Sequence, residues 1–178
     1  MKETILKILK LTVTLLIICA GVAAVLAGVN ALTKDKIAAI QVEKTQQAIS
    51  QVLTDVSGLE QLTLSGDTGI VKSVYKADNG YAVEVAPNGF DGAVTMMVGI
   101  SDGKVTGISV ISHTETPGLG AVAAANNAKG EAFRGQFVGQ SGTLEIGNQI
   151  DAMSGATITS RAVVAGVNAA LEYVENLG

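Results

Sequence analysis

One cysteine and one histidine, Cys19 and His113, are all that 178 residues offer of the two side chains most metal sites are built from. A zinc site of Cys and His needs three or four such ligands. A Cys-ligated iron–sulfur cluster cannot be held within the chain, no haem-attachment motif is present, and no internal disulfide can form. If this protein moves electrons, an organic cofactor carries them. Charge is also scarce. Charged residues make up 16% against 48% hydrophobic ones, with mean hydropathy +0.41. That balance is too apolar for an ordinary soluble domain and places part of the chain in lipid. A basic excess is missing as well: the net charge is −4, and after three lysines and one acid in residues 1–32, nine basic and fifteen acidic groups remain. An acidic exterior argues against nucleic acid, whose phosphates demand a basic patch.

The apolar excess is concentrated at residues 11–32, LTVTLLIICAGVAAVLAGVNAL, which contain no charge. A helix of that length spans the roughly 30 Å hydrocarbon core of a bilayer. A secretory signal peptide is the alternative, with Val29-Asn30-Ala31 loosely resembling a cleavage site, but the run is long for one. Bulky Ile18 sits where a lipoprotein signal wants a small residue, so Cys19 reads as apolar packing. Lysines flank the span almost equally, at Lys2, Lys7 and Lys10 before it and Lys34, Lys36 and Lys44 after it. The positive-inside balance leans only slightly to an N-terminus inside. Gly21, Ala24, Gly28 and Ala31 form a small-residue series suited to packing against other helices.

After the span, residues 33–56 carry a helical pattern, Ile37, Ile40, Ala48 and Val52, that can continue the membrane helix as a stalk. Residues 57–67 are polar and glycine-containing, a connector. Strands are expected at 70–77, 81–86, 93–100 and 105–112. The first pair is joined through Asp78-Asn79-Gly80 and the second through Ser101-Asp102-Gly103-Lys104, both hairpin signals, with a loop at 87–92 between them. A short helix is expected at 121–128, an irregular piece at 133–138 and a last short strand at 144–150. A final helix over 158–177 repeats Val163, Val164, Val167, Ala170, Leu171 and Val174. Its second face, Ala162, Gly166 and Ala170, is small enough to lie close to a sheet. The expected fold is α+β: one N-terminal transmembrane helix, then an antiparallel-sheet domain with packed helices. The expected division is tail and span at 1–32, stalk and connector at 33–65, and domain at 66–178.

Two stretches carry the chemistry. In HTETPGLG, residues 113–120, Pro117 fixes its own φ and pushes Thr116 towards an extended conformation, while Gly118 and Gly120 permit positive φ. The loop holds the lone histidine and a carboxylate, Glu115, and an ordinary turn with a solvated histidine is the plainer reading. In DAMSGATITS, residues 151–160, four hydroxyls (Ser154, Thr157, Thr159 and Ser160) surround Gly155 and Ala156 at a helix start. One hydroxyl is a common helix cap; four are more than a cap needs. Free N–H groups and the helix dipole there attract a phosphate, which glycine lets approach closely. Neither the P-loop nor the dinucleotide glycine pattern is present, and no GxSxG elbow supports a hydrolase.

Asp151-Ala152-Met153-Ser154-Gly155-Ala156-Thr157 resembles the flavinylation motif D-x-x-[ST]-G-A-T of the FMN-binding domain family, and residues 113–120 resemble its H-x-E-T-P-G-L-G signature. One span followed by this domain resembles the G subunit of Rnf-type ion-translocating ferredoxin:NAD oxidoreductases. The related C subunit of the sodium-translocating NADH:quinone reductase is longer. The resemblance implies FMN esterified through its phosphate to Thr157, by a separate flavin transferase because no base stands beside that hydroxyl. Ser154, Thr159 and Ser160 would be spare donors to phosphate or cap. Ser154, Gly155, Ala156, His113, Glu115, Thr116, Pro117, Gly118 and Leu119 would complete the cofactor site, with Leu119 and Pro117 as apolar contacts. The chain has no Trp, so any stacking on the flavin falls to Tyr or Phe. The implied protein is not catalytic alone: it relays electrons among other membrane subunits of an ion-pumping complex in the bacterial inner membrane, with its C-terminal domain on the extracytoplasmic side. A C-type subunit of the sodium-translocating NADH:quinone reductase, an independent extracytoplasmic flavoprotein and a scaffold subunit with unmodified Thr157 are the alternatives.

Overall fold

A computed structural model describes residues 2–64 and 68–177. Helix α1, Lys2–Val52, joins the apolar run and the expected stalk into one element. Among the described residues it is the one helix long and apolar enough to cross a membrane, with mean hydropathy 2.5 over an 18-residue stretch. The two hydroxyls of the apolar run are satisfied within the helix, as a lipid environment requires: Thr12 donates to the Ile8 carbonyl at 3.0 Å and Thr14 to that of Lys10 at 2.8 Å.

The chain divides into two compact units, Met1–Glu43 and Lys44–Gly178. In the second, five strands form an antiparallel meander in the order β1-β2-β3-β4-β5. They are β1 Glu60–Leu62, β2 Val71–Ala77, β3 Gly80–Val85, β4 Thr95–Ser101 and β5 Lys104–Ser112. The β4–β5 turn places Asp102 at φ 52 and Gly103 at φ 70, the two positive values a tight primed hairpin turn needs. β1 falls inside the expected connector; three residues long and mostly exposed, it has too little alternation to be read from sequence. The expected boundary between residues 65 and 66 lies outside the described residues, and the compact unit starts well before it.

Alternation sends the sheet's side chains to two faces. On one, Val74, Val83, Val85, Met96, Val98 and Ile100 pack with Val163, Val164 and Val167 of helix α3, Thr157–Glu175. Gly166 makes the close approach possible: a Cβ there would lie 2.2 Å from Met96 Cε. On the other, Ala77, Ala82, Met97 and Ile111 are covered by Ala48, Ile49, Val52 and Leu53. The Thr106 hydroxyl donates to the Val52 carbonyl at 2.5 Å, satisfying an orphan acceptor at the end of α1.

Three expectations between β5 and α3 are corrected. Residues 121–128 form no single helix: a 3-10 turn spans Gly120–Ala124, and α2, Ala128–Gly135, starts at Asn127, whose Oδ1 accepts from the Lys129 and Gly130 N–H groups. Phe133, expected in irregular chain, is helical and stacks edge-on against Phe137 with centroids 5.5 Å apart. Residues 144–150 form a loop, not a strand. Positive φ at Gly147 turns the chain, and the Asn168 amide takes both backbone groups of Leu144 at 2.9 and 3.0 Å, where a neighbouring strand would have bonded.

Candidate functional site

The start of α3 sorts its hydroxyls into two pairs. Thr159 and Ser160 are 1% and 0% exposed; Ser154 and Thr157 are exposed. Ser160 donates to the Ala156 carbonyl and accepts from the Met153 N–H, both at 2.9 Å, which folds the turn before the helix onto it. Thr159 donates to Glu115 Oε2 at 2.5 Å. The expectation that these two serve as spare donors, to a phosphate or to the helix cap, is therefore corrected: the fold already uses both hydroxyls, on Glu115 and on the Ala156 carbonyl. The N-cap residue, Ala156, provides no side-chain cap. The first-turn N–H groups thus lack a partner within the helix. Gly155 sits at φ 73, which favours glycine, and a Cβ there would lie 3.1 Å from Leu119 Cδ2.

The two sequence motifs meet in one groove. Glu115, Thr116, Leu119 and Gly120 from one motif and Gly155–Thr159 from the other line it together with Phe90, around a volume of about 320 Å³. That is within the range of small-molecule sites. Phe90 is 68% exposed, and Leu119 and Ile158 also turn large apolar surface outward. Of the residues implied by the resemblance, Thr157, Gly155, Ala156, Glu115, Thr116 and Leu119 line the groove, whereas Ser154, His113, Pro117 and Gly118 flank it without lining it. Phe90, Gly120 and Ile158 are additions, and Thr159, expected as a spare donor, lines the groove as well. Phe90 belongs to the loop at 87–92, and an aromatic residue flanked by polar and glycine neighbours was the signal for it in the sequence.

Glu115 is 4% exposed. Its Oε1 accepts from the Phe90 N–H at 2.7 Å and the Asp91 N–H at 3.2 Å. Burial pushes its carboxyl up, but the Thr159 hydroxyl, the Asp91 and Phe90 amides and the nearby His113 outweigh that, and the net shift is below the usual value. His113 keeps a buried Nδ1 with no hydrogen-bond partner.

Residues 89–172, which include every lining residue of the groove, match the FMN-binding domain family, and residues 1–52 match the RnfG N-terminal region. The chain is 34% identical to the G subunit of the ion-translocating oxidoreductase complex of Methanosarcina acetivorans, over 94% of this chain and 95% of that one. It is 33% identical to the G subunit of the Na(+)-translocating ferredoxin:NAD(+) oxidoreductase complex of Acetobacterium woodii, over 96% of this chain and 93% of that one. This chain belongs to the family of these G subunits. The residues present fit the family's cofactor. An apolar rim of Phe90, Leu119 and Ile158 suits a flat ring system, and an uncapped helix start suits a phosphate.

Proposed function

We propose that the protein is a membrane-anchored electron-transfer subunit of an ion-translocating ferredoxin:NAD oxidoreductase complex, with FMN esterified through its phosphate to Thr157. The observation that carries this reading is the meeting of both motifs in one groove with Thr157 exposed on its wall. FMN supplies the electron-accepting and electron-donating chemistry. The chain's part is to hold and orient it. Thr157 provides the ester oxygen, the open N–H groups of the first α3 turn take up remaining phosphate charge, and Phe90, Leu119 and Ile158 shield one side of a flat ring from water. Among the described residues no cluster of His, Cys, Asp and Glu is placed to hold a metal ion. A flavin transferase makes the attachment, and the other subunits of the complex donate and accept the electrons.

The test is the intact mass of the full-length protein expressed with and without a flavin transferase. Wild type should gain the mass of FMN less one water only when the transferase is present, and Thr157→Ala should gain nothing. Flavin retained by denatured Thr157→Ala protein would move the ester to another hydroxyl. We also propose that the domain lies on the extracytoplasmic side. Cysteine placed at the exposed Glu131 should react with a membrane-impermeant thiol reagent in intact cells or spheroplasts. Reaction only after lysis would put the domain inside.

A further inference from the structure

The resemblance ranks Glu115 among the residues that bind the cofactor, but its carboxylate has little left to offer a ligand. Three donors from two other segments occupy it: the Phe90 and Asp91 amides at Oε1 and the Thr159 hydroxyl at Oε2. Glycines close both sides. A Cβ on Gly89 would lie 2.2 Å from Oε1, and one on Gly120 would lie 2.2 Å from Oε2. The neighbouring Thr114 adds a second tie, its hydroxyl donating to the Asp91 carbonyl. Charge-assisted bonds of this kind are the strong ones, and losing the acceptor would leave two amides and the buried Thr159 hydroxyl without it.

We propose that Glu115 is a positioning residue for flavin attachment. Its carboxylate ties the Phe90 loop and the first turn of α3 to the 113–120 loop, and the tie holds the groove in the shape that presents Thr157. The geometry gives the reason. At about 100° per residue, Thr157 and Thr159 point to nearly opposite sides of α3. Anchoring Thr159 inward on Glu115 therefore sets the rotation that turns Thr157 outward. The same carboxylate fixes the backbone on either side of Phe90 and so the position of the groove's aromatic rim.

This inference rests on Thr157 as the flavin acceptor, and the test separates the two. Full-length wild type, Glu115→Ala, Glu115→Gln, Thr159→Val and Thr159→Ser are exposed to limiting flavin transferase, and the initial labelling rate is read from in-gel flavin fluorescence. Amide exchange at Phe90 and Asp91 is measured on the same proteins before labelling. Glu115→Ala should label at least ten times more slowly and exchange those two amides at least ten times faster, with a cooperative melt retained. Glu115→Gln, which keeps an oxygen for the two amides and can donate its NH2 to the Thr159 hydroxyl oxygen, should recover most of both. Thr159→Ser should recover what Thr159→Val loses, and that pair decides the matter if Glu115→Ala does not fold. Wild-type labelling rates in Glu115→Ala or Thr159→Val would overturn the proposal. So would a Glu115→Gln protein that labels no better than Glu115→Ala, because charge and not the tie would then be what attachment needs. An unlabelled wild type removes the Thr157 reading and this proposal with it, while unchanged Phe90 and Asp91 exchange in Glu115→Ala removes the tie alone.

Discussion

The two faces of the sheet are covered by helices that differ in almost every respect except the device that brings them close. On the α3 face, valines, Met96 and Ile100 from β2, β3 and β4 meet a helix whose apolar residues recur over its whole length, and the glycine that permits contact, Gly166, is on the helix. On the α1 face the sheet presents mostly small residues. The cover is only the last turns of α1 and Leu53, and the glycine is on the sheet: a Cβ on Gly99 would meet the Val52 carbonyl oxygen at 2.4 Å and the Thr106 hydroxyl at 2.3 Å. The α3 face carries the groove at its helix start. The groove and the last turns of α1 thus lie on opposite sides of one sheet, and variants on one side need not disturb the other.

The strongest way to break that division is to remove one cover. A protein starting at residue 57 lacks Ala48, Ile49, Val52 and Leu53 and uncovers Met97 on a central strand. At roughly 1.5–3 kcal/mol for each fully buried large apolar side chain, the loss approaches the roughly 5–15 kcal/mol that holds a typical domain together. Lys44–Gly178, which coincides with the compact unit, should be soluble and melt cooperatively. The shorter protein should aggregate or lose its cooperative transition in calorimetry. Equal melting temperatures would mean that α1 contributes nothing to the domain core.

The next effect compares the two glycines. Gly99→Ala forces a methyl against backbone and a hydroxyl that already bond each other, so the last turn of α1 must lift. A cost of about 2–3 kcal/mol is expected for overpacking of this kind. Gly166→Ala presses mainly on the flexible end of Met96, with Val85 and Pro87 at 3.0 and 3.1 Å, and its strain is partly offset by the roughly 1 kcal/mol by which alanine exceeds glycine in a helix. Its urea midpoint should fall less than that of Gly99→Ala. A reversed ranking would show that the α3 face is the more rigid of the two.

That contrast also explains what the sequence made legible. The α3 face could be anticipated because Val163, Val164, Val167, Ala170 and Leu171 repeat at helical spacing and Ala162, Gly166 and Ala170 left room for a sheet. The α1 face could not. Residues 44–53 read KTQQAISQVL, a polar stretch behind a long apolar run, and only burial of its few apolar side chains against Ala82 and Met97 reveals a core element. At the site, both motifs were readable as motifs because turns and helix starts have residue-specific chemistry. The roles within them were not. Thr157 and Thr159 are the same residue type two positions apart, and only rotation about the helix makes one exposed and the other a donor to Glu115. Phe90 came into the groove through a contact between segments far apart in sequence, which periodicity does not encode.

A smaller effect should depend on pH. The Glu115 carboxyl is held below its usual value. It therefore contributes stability that is fully present above the unfolded carboxylate pKa, about 4.3, and is lost as pH falls through the folded value. Thr159→Val removes one donor and raises the folded value. The variant should be less stable than wild type by about 1 kcal/mol at pH 7, and the gap should narrow as pH falls below about 4. Urea melts at pH 7 and pH 3 measure it. A gap of constant size would mean that Thr159 stabilises through packing and not through the carboxylate.

The smallest effect on the fold is expected at the residue on which the proposed function depends most. Thr157 opens α3, yet its side chain is exposed, and the residue that precedes it provides no side-chain cap. Its neighbours Ser160 and Thr159 already organise the turn from inside. Thr157→Ala, made without a flavin transferase, should therefore leave the urea midpoint within about 0.5 kcal/mol of wild type, as for other exposed substitutions. Glu115→Ala should lower it clearly, because two amides and a hydroxyl lose their acceptor. A Thr157→Ala protein destabilised by more than about 1 kcal/mol would show that this hydroxyl caps the helix. Thr157 would then have a structural use, and its exposure on the groove wall would lose its force as a reason to place the flavin there.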